Sequence, residues 1–169
     1  MNERRWVTRL RVQGGGASKF LSFMEDDVIP MIETEYRIAS TDRTLVGHSV
    51  GGTFALYTLF QKPTLFQQLI VGSPALWFGG GVTFDQEEDF SKRRKSLPVK
   101  LFLSAGAQEE SIPKPYVSDL YKLISRLESR AYEDFELTSQ IFENCNHCAA
   151  IAPMFQFGMM AMMPPRTTQ

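Results

Sequence analysis

Residues 47–51 read Gly47-His48-Ser49-Val50-Gly51, a G-x-S-x-G match preceded by the apolar Thr44-Leu45-Val46. Small residues are common, so the match alone is weak. Its setting is the one such a motif needs, an apolar strand before it and a helix after it. A serine in that strained turn is lifted clear of the sheet, and flanking glycines let chain segments pass closely. The first N–H groups of the helix, that of Val50 foremost, then point at whatever Ser49 attacks. A serine nucleophile needs a base and an acid to orient the base. The chain has two histidines. His48 adjoins Ser49 in the tight turn, so their side chains are expected to diverge, which leaves His147 in Glu143-Asn144-Cys145-Asn146-His147. The acid is expected after an intervening strand, in the order Ser…Asp/Glu…His. Both Glu109 and Glu110 follow such a strand, at the end where sites of open α/β sheets gather.

The elements that must position these groups are legible as an alternation. A helix is expected from Ser18, with Ser18 as its N-cap and Pro30 kinking or splitting it. Phe20, Met24, Val28, Met31 and Ile32 recur along it at helical spacing. Strands are expected at 44–46, 69–71, 99–103 and 135–142. Helices are expected at 50–61, from Pro113-Pro115 onward with Tyr116, Leu120, Leu123 and Leu127 on one face, and at 149–162. Short apolar strands alternating with helices predict βαβ units and a mostly parallel sheet of about four or five strands covered on both faces. Residues 6–12 alternate apolar and polar and could add an edge strand.

Composition narrows the function classes. The chain has 169 residues, 43% hydrophobic and 22% charged, with a net charge of −1. That is ordinary globular composition for a single domain, here taken as 1–169. Near-neutral charge gives no reason to bind nucleic acid or an anionic membrane, and no run approaches the roughly 18 apolar residues of a membrane helix. The N-terminus carries charge with no apolar run behind it, so a cytoplasmic protein is expected.

Further segments carry a resemblance. Phe20-Leu21-Ser22-Phe23 with Val28-Ile29-Pro30-Met31-Ile32 and Tyr36, the Gly47–Gly52 turn followed by Ala55-Leu56-Tyr57, and Ser73-Pro74-Ala75-Leu76-Trp77-Phe78 together resemble the "Putative esterase" family of α/β-hydrolases. That group includes enterobactin-type siderophore esterases and esterase D-like enzymes. Gly106-Ala107-Gln108-Glu109 is similar to its acid loop and Asn146-His147 to its histidine loop, which favours Glu109 over Glu110. The resemblance runs from about Arg4 to Met160. It implies an α/β-hydrolase-like domain and a serine ester hydrolase acting on siderophore-like or other small esters. Ser49, Glu109 and His147 are then the triad, Val50 N–H the oxyanion donor, and His48 and Trp77 face the substrate. No cofactor or metal is implied. Members of the family carry several strands before the region where this chain starts, and an eight-stranded sheet at roughly 30 residues per βα unit needs about 240 residues. The chain is therefore expected to be N-terminally truncated relative to the family. Two consequences follow: an open edge at the first strand, hence a homodimer or larger assembly, and the alternative of a catalytically weak remnant that binds or assembles.

The remaining features have plainer readings. Cys145 and Cys148 form a C-x-x-C around His147, but no second Cys/His cluster accompanies them, so free thiols are expected rather than zinc. Lys92-Arg93-Arg94-Lys95, after the acidic stretch 85–89, reads as a solvated loop. Met154, Met159, Met160, Met162 and Met163 read as a flexible core or a sticky interface.

Overall fold

The computed structural model describes residues 15–111 and 114–163. The expected edge strand at 6–12 lies outside the described residues, as does Pro113.

Four strands form the sheet: β1 (Thr44–His48), β2 (Gln68–Gly72), β3 (Lys100–Gly106) and β6 (Glu136–Phe142). Their spatial order is β1-β2-β3-β6, and every pairing is parallel. Between β3 and β6 a small antiparallel ribbon pairs β4 (Glu110–Ser111) with β5 (Lys114–Pro115). Side chains alternate across a strand. Leu69, Val71, Leu101 and Leu103 accordingly enter one core, while Ile70 and Phe102 enter another. Both faces of β2 and β3 are buried, which is why they read as unbroken apolar runs.

Three helices supply the larger core. These are α3 (Val50–Gln61), α4 (Val82–Arg93) and α5 (Tyr116–Arg130), which bury Leu56 and Leu59, Phe84 and Phe90, and Leu120 and Leu123 in it. α6 (Ile151–Met162) covers the opposite face, packing Met154 and Met162 with Ile70, Phe102 and Phe142. The methionines of this helix divide: Met154 and Met162 are core, whereas Met160 is 62% exposed.

The first helical run begins one residue before Ser18, with Gly16 as its N-cap. It comprises α1 (Ala17–Phe23), a π turn at Met24–Val28, and α2 (Ile29–Glu35). Pro30 neither ends it nor breaks it. Proline has no N–H to give back along the helix, and the widened turn just before it, closed by Ile29 N–H to Met24 O, absorbs the irregularity.

α4 corrects the expected loop. The stretch 82–93 is helical, and Phe84, Glu87 and Phe90 are all buried. Glu87 has no exposed side-chain surface. Its carboxylate pairs with Arg126 Nε at 2.9 Å and Arg130 Nε at 2.8 Å, both from α5. A glutamate at a core position interrupts the apolar period, so the helix looks solvated in sequence. Its cost of burial is offset by two guanidinium groups one turn apart. Lys92 and Arg93 form the last turn of α4, where cations suit the helix dipole.

Candidate active site

The turn between β1 and α3 holds Ser49 at φ 59°, ψ −122°. A non-glycine residue there costs about 1–3 kcal/mol and persists only when its surroundings over-determine it. They do. Ser49 N–H donates to Gly72 O at 2.9 Å, and Ser49 O accepts from Thr53 N at 3.0 Å and Ala75 N at 3.2 Å. A Cβ on Gly47 would lie 2.3 Å from Gly51 O, so strand end and helix start touch backbone to backbone. Gly51 itself has no neighbour within 4 Å of such a Cβ. The second close approach belongs to Gly52, 3.1 Å from Gly72 O. The packing role expected of both motif glycines thus falls to Gly47 and Gly52. Val50 N opens α3, where the first amides have no intrahelical acceptor.

Glu109 closes the 3-10 turn Ala107–Glu109 at the end of β3, and its side chain is 1% exposed. Oε1 accepts from Gly106 N and from Ser73 Oγ, each at 2.6 Å. Oε2 lies 2.6 Å from His147 Nδ1. A carboxylate at Nδ1 selects the tautomer whose Nε2 is free to accept a proton. The histidine loop is seated on the end of β3. A Cβ on Gly106 would come 2.2 Å from Cys145 O, and Gln108 N donates to that same oxygen at 3.0 Å. Asn146 Oδ1 accepts from Cys148 N and Ala149 N, an Asx turn that fixes the backbone around His147. Glu110 points elsewhere. It accepts from Val117 N and Ser118 N at 3.0 Å and from Ser118 Oγ at 2.5 Å, capping α5. The Ser118 hydroxyl, helped by these amides, holds its carboxyl below the usual range.

Two aromatic rings flank His147, and a third packs behind one of them. The His48 ring lies 4.6 Å from that of His147 and the Tyr116 ring 4.9 Å. Trp77 meets Tyr116 edge-on at 6.4 Å. Burial, and then the proximity of His147, push the His48 imidazole below its ordinary pKa, and its Nε2 is buried without a partner. His48 was set aside as a base in the sequence because it adjoins Ser49. The structure instead puts its ring against the candidate base. Neither Tyr116 nor Ser73 is assigned a site role in sequence: Tyr116 reads as the first core residue of an amphipathic helix, and Ser73 opens a segment that resembles the family without a stated role. No hydrogen bond among the described residues joins the Ser49 hydroxyl to His147. The two are linked through Gly72-Ser73 and Glu109.

A cavity of about 730 Å³ opens beside Val50 and Gly51, walled by Phe20, Phe54, Tyr57 and Phe78. No charged side chain is among its described lining residues, and Phe78 rather than Trp77 faces it. Cys145 and Cys148 are free thiols. Among the described residues no three His, Cys, Asp or Glu side chains gather as metal ligands, and no helix is long and apolar enough to cross a membrane.

A family model described as "Putative esterase" matches residues 2–119. Ferri-bacillibactin esterase BesA of Bacillus subtilis is 36% identical over 98 residues, covering 57% of this chain and 34% of the relative. The siderophore enterobactin esterase of Emericella nidulans is 41% identical over 101 residues, covering 57% and 33%. The crystal structure of the BES protein from Bacillus cereus superposes with a TM-score of 0.80 at 27% identity, covering 89% of this chain and 57% of that one. The fold is thus α/β-hydrolase-like, and the chain spans about a third of the length of these curated relatives.

Proposed function

The chain belongs to the "Putative esterase" family, and on that premise we propose that it is a serine ester hydrolase with Ser49, His147 and Glu109 as its triad. The observation that carries the reading is the 2.6 Å contact between His147 Nδ1 and a buried Glu109 carboxylate, on the same sheet end as a serine held at positive φ. Ser49 Oγ attacks the ester carbonyl carbon while His147 Nε2 takes the hydroxyl proton. The carbonyl oxygen becomes an oxyanion, which the Val50 N–H at the start of α3 stabilises. The intermediate collapses by expelling the alcohol, which receives the proton from His147. Water, deprotonated by the same imidazole, then cleaves the acyl-serine. Glu109 stays ionised and keeps the imidazole in register.

The substrate class is a small ester, siderophore-type in keeping with the named relatives. Its uncharged aromatic or apolar part enters the cavity between Phe20, Phe54 and Phe78. His48 and Trp77 contribute through contact with the His147 and Tyr116 rings. The free thiols suit a reducing compartment, and a cytoplasmic setting is proposed. A fluorophosphonate probe tests the reading. The expected result is a single adduct, located at Ser49 by peptide mass spectrometry. A folded chain that takes up no probe would instead be a binding or assembly protein on a hydrolase frame, and an adduct elsewhere would remove Ser49 from the mechanism.

Assembly is a separate proposal. Among the described residues β1 pairs on one side only, with β2, and Val46 at its centre is 39% exposed. Phe20, Phe23 and Met31 on the neighbouring helical run are about half exposed. An apolar edge of this kind is ordinarily paired or covered, so a homodimer or larger assembly burying it is expected. Sedimentation at micromolar concentration checks this, and a compact 19.2 kDa monomer would refute it.

A further inference from the structure

We propose that Ser73 is a positioning residue for the triad, an inference that rests on Glu109 and His147 acting as described above. Ser73 is fully buried and adopts φ 43°, unusual for a residue with a side chain. Its Oγ stands 2.6 Å from Glu109 Oε1, and its N–H donates to Ser104 O at 2.7 Å. An ionised carboxylate only accepts hydrogen bonds, so the Ser73 hydroxyl must donate. The two oxygens of Glu109 thereby become unequal. Oε1 is committed to Ser73 and Gly106 N, and Oε2 is the one left for His147. Rotating the carboxylate away from the imidazole would break two charge-assisted bonds in a buried site, where such bonds are strongest.

The same short segment also grips the nucleophile. Gly72 O accepts Ser49 N–H, and Ala75 N–H donates to Ser49 O. Residues 72–75 therefore hold the strained peptide of Ser49 with one set of bonds and the acid with another. The spacing between nucleophile and acid is set by four residues that take no part in the chemistry. The strain at Ser73 is the mark of that double duty.

The test uses two variants of the full chain. Ser73→Ala removes only the hydroxyl. Ser73→Gly removes the hydroxyl and also relieves the positive φ. Both are expected to lower kcat by about 10–100-fold, the ordinary effect of losing a hydrogen bond to a charged group, with KM changed less than about threefold. In both, the low-field ¹H resonance of the Nδ1–H···Glu109 proton, present in the wild type and lost in Glu109→Gln, should shift upfield or broaden away. A merely structural role would let glycine restore both signals, and that result overturns the proposal, as would an unmoved resonance with wild-type kcat in both variants. The triad reading fails differently: Glu109→Gln would then leave the wild-type low-field spectrum and turnover intact.

Discussion

Glu109→Gln is expected to lower kcat by about 10⁴-fold, the scale seen when a triad acid loses its charge but keeps its shape, whereas Glu110→Gln leaves kcat within about threefold. The difference follows from what each carboxylate touches. Glutamine at 109 can present an amide N–H to His147 Nδ1, across the contact that is now 2.6 Å. Nδ1 would then accept, Nε2 would carry the proton, and the imidazole could no longer take one from Ser49. Glutamine at 110 keeps an acceptor for Val117 N and Ser118 N and loses the charge at the start of α5 together with the acceptor of the Ser118 hydroxyl. That costs about 0.5–1 kcal/mol of stability and nothing at the site. Steady-state kinetics on a short p-nitrophenyl ester, with thermal unfolding alongside, separate the two. Equal losses of turnover, or a larger loss from Glu110→Gln, would reverse the assignment.

Gly47→Ala is expected to destabilise the fold by about 3 kcal/mol or more, while Gly51→Ala, in the same motif, raises stability by about 0.5–1 kcal/mol. A methyl on Gly47 would meet Gly51 O at 2.3 Å and Gly51 C at 2.6 Å. Those are backbone atoms in the first turn of α3, so relief requires the helix to move off the strand and takes the Ser49 turn with it. A methyl on Gly51 meets nothing within 4 Å and removes a glycine from a helix, where it weakens the structure. For a chain of this size the first change should lower Tm by roughly 6–12 °C and the second raise it by a few degrees. Equal melting temperatures would mean that strand and helix do not touch at Gly47 as described.

The run 44–61 was the most legible part of the chain. Strand, turn and helix are each dictated by neighbours in sequence, and the expected helix at 50–61 coincides with α3. The parallel sheet was legible for the same reason, since β2 and β3 are apolar on both faces. α4 was not. Glu87 occupies the position where periodicity calls for an apolar side chain, and only its two arginine partners, about forty residues on, make that tolerable. At the site, residue types pointed to a serine, a histidine and a choice of two glutamates. The resemblance of Gly106-Ala107-Gln108-Glu109 to the family's acid loop favoured Glu109, but residue types alone give no direction. Glu109 and Glu110 are adjacent, and the 3-10 turn sends one inward to His147 and the other outward to α5. Ser73 and Tyr116 gain their roles only by contact across the fold, at 2.6 Å to Glu109 and 4.9 Å to the His147 ring.

The spatial order β1-β2-β3-β6 is also the order of synthesis. As the chain leaves the ribosome, β2, β3 and β6 each find a parallel partner already made, and these four strands can assemble from one side without rearrangement. The Ser49 turn follows β1 and Glu109 follows β3, but the His147 loop arrives only after β6. On the proposed triad, the serine therefore waits from residue 49 to residue 147 before its base is synthesised. Under that reading it acquires a base only when β6 docks on β3 and the histidine loop seats on Gly106, so any reactivity toward esters is withheld until then.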